Sequence, residues 1–382
     1  MNGRKKLLYK LTNAFNHSKP FTIGIEEEYM ICDPKTGELI NKANDIISFL
    51  NEPYIDRYSY ELILSEIEVN TRVHTDTESA IEEISDLRKK TKEIGKKLGF
   101  NIGISGTHPT SKPQDQKFVN NDSYNWVAKQ LGYYAQRNIT FSMHVHISTN
   151  NAEETIHITN SLRRWIAPML SLSTNSPFFS GCNTKMRSSR IFQFGSFPRT
   201  NIPRTFKDYN DYEQLVNLYI KTKSIEKPRQ VWWKLRPHME YGTIEFRICD
   251  VQRSLSNAFM LAGISQALVY QASVDYNNKE LIENYDIELL NDALWKASRF
   301  NMSSQIIDPV TYNQSSIKQQ ILIMQEYIQP ALSYFGNMKV NKYINNIISK
   351  GTESDDQIKI YNDTGFVGLK KYLMNNVEYN YN

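Results

Sequence analysis

The chain has 382 residues, of which 40% are hydrophobic and 23% are charged, proportions typical of a globular protein that folds in water. The formal net charge of +4 is too small to indicate binding to nucleic acid, and basic stripes interleaved with aromatic residues are absent. No apolar run approaches the roughly 18 residues that indicate a membrane span. We therefore expect neither a nucleic-acid partner nor membrane insertion.

The cysteines indicate a reducing compartment. Cys32, Cys182 and Cys249 lie far apart and form no CxxC pair, so neither a zinc knuckle nor a disulfide framework is indicated. The amino-terminal segment 1–18 is basic, but its apolar run is too short for a signal peptide. These features predict a cytoplasmic protein.

The first half of the chain predicts a series of strands and one long helix. Strands are expected over residues 21–33, 61–73 and 140–149, and residues 100–109 are expected to be a strand that leads into a loop. The helix is expected over 76–99, with Asp76 as its amino-terminal cap and Gly99 at its end.

The second half predicts more helix. A helix over 152–176 should be kinked by Pro168, and a long polar loop, 180–206, should follow it. Residues 232–252 predict two strands joined by a turn at Tyr241–Gly242. After Ser254 the chain is expected to be helical, notably over 255–276 and 316–335, with a frayed carboxyl terminus.

The order of these elements favours one α+β domain over residues 1–382. The strands are spread from residue 21 to 250 without a regular βαβ rhythm, which favours an antiparallel sheet over a doubly wound fold. No internal repeat or low-complexity linker divides the chain.

Three consecutive glutamates interrupt the first predicted strand. Strand side chains alternate between faces, so Glu26 and Glu28 should share one face and Glu27 should lie on the other. A solvated edge strand would explain such charges. The alternative is that Glu26 and Glu28 supply hard oxygen ligands to Mg²⁺, while Glu27 pairs with an arginine or faces water.

The second predicted strand repeats this pattern with Glu66 and Glu68 on one face. Two strands with paired acids predict a carboxylate-lined sheet, because clustered like charges are costly unless a cation neutralises them. His144 and His146 share a face of another strand in a spacing that suits metal ligands as well as structural histidines. His108 lies in a loop, where a turn or capping role is favoured.

Glu245 and Arg247 share a face of the last predicted strand. They could form a simple ion pair, or a metal-ligating acid beside a guanidinium that holds a phosphate. Further arginines are concentrated nearby, and each on its own could serve only solubility. They are Arg187, Arg190, Arg199 and Arg204 in the 180–206 loop, and Arg236 before Pro237. No Walker, Rossmann or G-x-S-x-G motif is present.

Together these segments resemble the glutamate–cysteine ligase type 2 family, also called carboxylate–amine ligases. The matching stretches lie in order between about residues 21 and 254: "GIEEEYMICDPKTGEL", "EIEVNT", "GTHP", "HVHIS", "LSLSTNSPFFSG", "SSRIF", "FPRTNIP" and "WWKLRPHMEYGTIEFRICDVQ". The helical part, 255–382, fits the family in length but carries no motif. Lys185 and Asn201 depart from the glycines expected at their positions, and Lys185 could alter the choice of amine.

The resemblance implies a glutamine-synthetase-like fold, with a curved antiparallel sheet and helices packed outside it. It also implies ATP and Mg²⁺, and an amide bond formed between a carboxylate and an amine, with glutamate and cysteine as type substrates. A homodimer is an expectation at the level of the family.

The resemblance also assigns roles to residues. The implied metal ligands are Glu26, Glu28, Glu68, Glu245 and His144. Arg247, His144 and Glu28 are implied as catalytic, and Arg190, Arg199, Arg236 and His146 as nucleotide-binding. We expect an acyl phosphate intermediate, with the 180–206 loop closing over it as a lid. A metal-dependent hydrolase, a guanidino-type phosphotransferase and a non-catalytic nucleotide or amino-acid binder remain alternatives.

Overall fold

The structure, a computed structural model, describes residues 14–15, 19–375 and 377. Most of the basic amino-terminal segment and the last residues of the chain, predicted to be frayed, lie outside the described residues. Within the part that is described, no helix is long and apolar enough to cross a membrane.

Eleven strands are formed by the described residues: β1 (Ile23–Cys32), β2 (Tyr58–Ser59), β3 (Glu66–Asn70), β4 (Asn101–Gly103), β5 (Met143–Ser148), β6 (Phe178–Phe179), β7 (Cys182–Asn183), β8 (Leu235–His238), β9 (Thr243–Phe246), β10 (Gln305–Ile307) and β11 (Gln314–Ser316).

The α-helices of the described chain are Ala43–Phe49, Thr77–Leu98, Asp122–Leu131, Tyr133–Gln136, Ala152–Leu162, Ile166–Ser173, Arg190–Gly195, Tyr209–Lys221, Leu255–Asn278, Ile287–Phe300, Ile317–Tyr327, Gln329–Tyr334, Lys339–Lys350 and Glu353–Met374. Short 3₁₀ turns cover Ile55–Arg57, Pro113–Asp115, Arg163–Trp165, Pro228–Gln230 and Asn301–Ser303.

A seven-stranded sheet forms the centre of the molecule. Its order is β2-β3-β1-β5-β9-β8, with β4 also paired to β1, and every pairing is antiparallel. The predicted α+β class with an antiparallel sheet is therefore confirmed. β1 has a partner on each side, so the solvated-edge explanation of its glutamates is wrong.

One face of this sheet is covered by helices. The odd-numbered residues of β1, including Ile23, Ile25 and Ile31, are buried in the main hydrophobic core. The helices Thr77–Leu98 and Leu255–Asn278 pack against β1 on this side. The helix Thr77–Leu98 begins where Asp76 Oδ1 accepts a hydrogen bond from Ser79 N at 2.8 Å, and it ends at Gly99, whose φ is +77°. Both predicted boundaries are confirmed.

Several predicted elements differ from the structure. The 180–206 segment, predicted to be a loop, contains the helix Arg190–Gly195, and the helix expected over 316–335 is divided into Ile317–Tyr327 and Gln329–Tyr334. The strand expected over 61–73 is limited to β3, because residues 61–65 turn before they reach the sheet. The helix expected over 152–176 is interrupted by the 3₁₀ turn Arg163–Trp165, just before Pro168, which cannot donate a backbone hydrogen bond. A hairpin of β10 and β11 interrupts the helices after Ser254.

Candidate active site

The strand register brings the predicted site residues into one row on the face of the sheet opposite the core. Glu28 lies across from Glu68, and Glu26 lies across from His144. The row continues to the next strands, where Glu245 lies across from His146 on one side and from Arg236 on the other. Directly opposite residues share a face, so alternation and register together gather these groups.

Ser142, just before β5, and His144, within β5, contact the carboxylates of Glu28 and Glu26. Glu28 Oε2 accepts hydrogen bonds from Ser142 N at 2.5 Å and Ser142 Oγ at 2.6 Å. Ser142 Oγ also lies 2.8 Å from His144 Nε2, and His144 Nδ1 lies 3.0 Å from Glu26 Oε2. A continuous hydrogen-bonded chain therefore fixes the orientation of the His144 ring between the two carboxylates.

His146 stands between two further carboxylates. Its Nε2 lies 3.2 Å from Glu26 Oε1 and 3.7 Å from Glu245 Oε1, while its Nδ1 lies 3.0 Å from Thr243 Oγ1. Burial lowers the pKa of His146, but Glu245 and Glu26 outweigh burial and raise the pKa above its ordinary value.

Glu245 is fully buried between two guanidinium groups. Arg236 donates to its Oε2 and Arg247 donates to its Oε1. Although burial would raise the pKa of Glu245, the charges of Arg236 and Arg247 hold it well below its ordinary value. The two arginines are thus fixed side by side at the edge of the row. Glu245 also lies near His146 and Glu26. A metal ion bound by Glu245, as predicted, would compete with Arg236 and Arg247 for the same carboxylate oxygens.

A second set of carboxylates lies on the β3 side of the row. Glu61, Glu66 and Glu68 line the same cavity as Glu28. Burial, together with the charges of neighbouring glutamates, raises the pKa of all three well above the ordinary value. Asn70 Nδ2 donates to Glu68 Oε1 at 3.0 Å. Such a group of acids would be stabilised by a cation.

Three overlapping sets of ligand atoms could hold metal ions next to each other. Within the described chain, Glu28, Glu61 and Glu68 place one oxygen each within 4.8 Å of one another. Glu26 completes similar groups with Glu68 and His144, and with His146 and Glu245. Carboxylate oxygens suit Mg²⁺, which dehydrates reluctantly and keeps several waters.

Apart from Glu245, these groups line a cavity of about 590 Å³. Glu26 and His146 also border a second cavity of about 420 Å³, which adjoins the first at the amino-terminal end of β1. The first cavity also has an aromatic wall, formed by Phe194, Phe197 and Trp232, none of which borders the second cavity. Together the two cavities have room for substrates larger than a single amino acid.

Arg190 is the arginine of the 180–206 loop that enters this cavity. Its side chain is buried and donates to the backbone oxygens of Arg247 at 2.9 Å and Ile248 at 3.2 Å. Arg199, predicted to bind nucleotide, does not line the cavity, and its guanidinium lies 5.8 Å from the ring centroid of Tyr219. Its backbone lies in the left-handed region, with φ of +61°.

Other candidate residues also lie away from the row. Arg187 pairs with Asp355, and Arg204 pairs with Asp211. His108 Nδ1 accepts hydrogen bonds from two backbone N–H groups, so its predicted capping role is confirmed. Cys32 and Cys249 are buried, whereas Cys182 is exposed at the start of β7, so it has no core to stabilise.

Several cavity residues were not predicted. Glu61 lies in the turn before β3, Tyr124 on the helix Asp122–Leu131, and His238 on β8. His238 stacks on Tyr241 with ring centroids 4.2 Å apart. Burial and the charge of Arg236 lower the pKa of His238 to about 3, so the ring is neutral. The H-x-x-Y spacing of His238 and Tyr241 was the sequence signal available for this pair. No sequence pattern marked Glu61 or Tyr124 as a site residue.

The sequence matches the model of glutamate–cysteine ligase family 2 over residues 22–370. The chain belongs to this family. The "putative glutamate–cysteine ligase 2" of Herpetosiphon aurantiacus is 35% identical over 346 residues, which cover 91% of this chain and 90% of that protein. Its counterpart from Solibacter usitatus is 31% identical over 94% of each chain. The resemblance inferred from the motifs is thus confirmed, as is the expected class of enzyme, a ligase of the glutamate–cysteine ligase type.

Solved structures show the same fold. A glutamate–cysteine ligase from Francisella tularensis, in complex with AMP, is similar with a TM-score of 0.72 at 12% identity, over 94% of this chain and 89% of that one. A bifunctional glutathione synthetase from Pasteurella multocida is similar with a TM-score of 0.67 at 14% identity, over 97% of this chain and 54% of that one. The predicted ligase fold, with helices outside the sheet, is confirmed.

Proposed function

We propose that this protein uses ATP and Mg²⁺ to join a carboxylate, with glutamate as the type substrate, to an amine through an acyl phosphate. The observation that carries the proposal is the row of Glu68, Glu28, Glu26, His144 and Glu245 on one sheet face, which ends at two arginines. Acids that can hold cations beside fixed guanidinium groups suit transfer of a phosphoryl group.

The chain supplies the ligands that Mg²⁺ requires. Glu28, Glu61 and Glu68 would hold one ion, and Glu26 with His144, or with His146 and Glu245, would hold another. When bound, Mg²⁺ would neutralise charge on the phosphate oxygens. The raised pKa values of Glu61 and Glu68 support this assignment, because burial without a counter-charge disfavours their ionised forms.

Arg247 is the proposed stabiliser of the transferring phosphoryl group. One arm of its guanidinium is held by Glu245, and its Nε is buried without a hydrogen-bond partner among the described residues. A fixed donor next to a cavity stabilises charge that develops in the transition state without a cost of reorganisation. Arg236 and Arg190 would contribute further positive potential near the same place.

The reaction balances without a covalent nucleophile from the protein. An oxygen of the substrate carboxylate attacks the γ-phosphorus, and ADP leaves with the electron pair of the broken P–O bond. The neutral amine then attacks the acyl carbon, and the C–O bond to phosphate breaks as the C–N bond forms. The proton lost from nitrogen leaves with phosphate or passes to solvent. The 180–206 loop, which carries Phe194 and Phe197, is the proposed means of excluding water.

The test is amine-dependent release of phosphate. Purified protein with ATP, Mg²⁺ and glutamate should release phosphate when an amine is added, and an amide should form in equal amount. Glu28→Gln should abolish turnover, while Glu82→Gln, on the exposed side of the helix Thr77–Leu98, should not change it.

The same assay separates the alternatives. A hydrolase would turn over without ATP, and a guanidino-type phosphotransferase would give a stable phosphorylated product and no amide. Binding of nucleotide without turnover would indicate a non-catalytic member of the family. Any of these results would contradict the proposed function. The cytoplasmic location and the homodimer stay predictions.

A further inference from the structure

The cavity has an aromatic wall that the proposed chemistry does not require. Phe194, Phe197 and Trp232 follow one another with ring centroids 5.9 and 6.0 Å apart. Trp232 in turn lies 6.4 Å from Trp126, on the helix Asp122–Leu131. This wall therefore connects the 190–206 segment with the helix Asp122–Leu131, whose Tyr124 and Val127 also line the cavity.

The wall begins where the phosphoryl group would be transferred. The guanidinium carbons of Arg190 and Arg247 lie 5.9 and 5.8 Å from the ring centroid of Phe194. A substrate whose reacting atom lies beside Arg247 would place its adjacent atoms against Phe194 and Phe197. The wall is thus close enough to contact a substrate during the reaction.

The rest of the cavity lining combines apolar and acidic groups. Ile47, Leu62 and Val127 line the same cavity, together with Glu61 and Glu66. Glu66 is buried. Apolar side chains of a substrate are compatible with this lining, whereas a further carboxylate would be disfavoured beside the buried acids.

The nucleobase of ATP is the competing occupant of the wall. The second cavity, of about 420 Å³, adjoins the first beyond Glu26 and His146, at the residue 22–25 end of β1. Phe194 lies instead next to Arg190 and Arg247 in the first cavity, and none of the three wall residues borders the second cavity. With the phosphates over the row, the nucleotide extends most simply into the second cavity and leaves the wall free.

We infer that the amine substrate carries an aromatic or branched apolar side chain, which binds against Phe194, Phe197 and Trp232 and is larger than the thiol side chain of cysteine. This inference rests on the proposed ligase function and specifies its amine. Each additional methylene in an apolar pocket changes kcat/KM by about 10-fold to 200-fold. A phenyl or isobutyl side chain should therefore be preferred over cysteine by at least about tenfold.

The experiment compares amines at fixed ATP, Mg²⁺ and glutamate. Phenylalanine, leucine, phenethylamine, cysteine, alanine and aspartate are assayed for phosphate release and for amide by mass spectrometry. Amines with apolar side chains should have the highest kcat/KM. Cysteine or alanine as the best amine would overturn the inference while leaving the ligase function intact. No amine-dependent release with any of the six would overturn both.

Two variants test whether the side chain of the amine contacts Trp232. Trp232→Ala removes part of the wall from a half-buried position, and Trp295→Ala, an exposed tryptophan on the helix Ile287–Phe300, is the matched control. Trp232→Ala should raise the KM for phenylalanine about tenfold or more, with little change for ATP or alanine. Trp295→Ala should leave all three values unchanged. An increase in the KM for ATP alone would assign the wall to the nucleobase and overturn the inference.

A smaller change in side-chain size, at Phe197, tests the same wall with less risk that the variant fails to fold. Phe197 is buried, and Phe197→Leu keeps an apolar side chain at this position while reducing the wall. It should shift the preference from phenylalanine toward leucine, with the same thermal melting profile as the parent. An unchanged ratio of the two kcat/KM values would contradict contact between Phe197 and the amine.

Discussion

Arg88 donates to both carboxylate oxygens of Glu27, at 2.7 Å from Nη2 and 2.9 Å from Nε, and both side chains are completely buried. Tyr29 Oη adds a third hydrogen bond to Glu27 at 2.6 Å. Arg88 also donates to the backbone oxygens of Gln252, Arg253 and Val377. Since Glu27 lies between Glu26 and Glu28, this ion pair fixes from behind the strand that presents both cavity carboxylates.

Replacing Arg88 by methionine should lower the free energy of unfolding by about 3–5 kcal/mol. The substitution leaves the Glu27 carboxylate buried without its counter-charge and removes the donors to three backbone oxygens. Urea denaturation of the variant and its parent measures the change. Lys89→Met is the matched control, because Lys89 is exposed on the same helix and should change stability by less than about 0.5 kcal/mol. Equal effects of the two substitutions would contradict a structural role for the buried pair.

Glu245→Gln should reduce kcat by about 10²–10³-fold, because Arg247 and Arg236 lose the charge that holds them at the cavity. Steady-state kinetics with saturating ATP gives the value. The matched control is Asp211→Asn, which removes the carboxylate from the exposed Arg204–Asp211 pair away from the cavity. A variant of Glu245 that retains kcat within about twofold of the parent would show that the arginines are positioned by other contacts.

Local sequence patterns were sufficient to predict which side chains share the cavity face of the sheet. Alternation separates Glu26 and Glu28 from Glu27, and it puts His144 and His146 on one side of β5. These rules depend only on neighbours in the chain, so they hold once each strand is recognised. The arginine partner of Glu27 was one of two predicted outcomes, and the structure identifies it as Arg88.

The remaining site residues depend on tertiary structure. Glu61 enters the cavity from a turn that was predicted to be strand, and Tyr124 reaches it from a helix that the sequence pattern did not reveal. Arg199 was expected in the site from the family resemblance, but its guanidinium lies by Tyr219 and does not line the cavity. Contacts between residues distant in sequence decide which loop residues face a cavity. Local sequence periodicity carries no information about such contacts.

Gly106→Ala should destabilise the protein by about 1–3 kcal/mol, because an added Cβ would lie 2.7 Å from Asp250 Cγ in a closely packed interior. Asp250 is buried and accepts hydrogen bonds from Asn175 N at 2.8 Å and from Ser188 Oγ at 2.9 Å. A shift of Asp250 would therefore disturb the loop that carries Arg190.

Thermal unfolding and kcat are measured together for this variant. Gly195→Ala is the control, since a Cβ there meets no atom within 4 Å. We expect lower stability and lower kcat for Gly106→Ala and little change in stability for Gly195→Ala. Normal stability of Gly106→Ala would contradict the tight packing around Asp250.

The stabilisation of the protein by Mg²⁺ should increase as the pH rises from 5 to 8. The pKa values of Glu61, Glu66 and Glu68 are raised by burial and by each other, so the metal-free folded protein binds more protons than the unfolded chain above the ordinary glutamate pKa. The contribution of these groups to stability therefore falls as the pH rises through that window. Bound Mg²⁺ requires the ionised carboxylates and removes the penalty, so its effect is largest at high pH.

Differential scanning fluorimetry with and without Mg²⁺ at each pH measures this effect. Subtracting the stability without Mg²⁺ from the stability with Mg²⁺ at the same pH largely removes the contribution of titratable groups that do not contact the metal. At Mg²⁺ about 100-fold above its Kd, the stabilisation should reach about 2.7 kcal/mol at pH 8. Glu68→Gln should flatten the profile, because it removes one ligand and one of the mutually repelling acids. Glu82→Gln, on the exposed helix surface, should retain the parental profile. A stabilisation that is equal at pH 5 and pH 8 would place the metal away from these three glutamates.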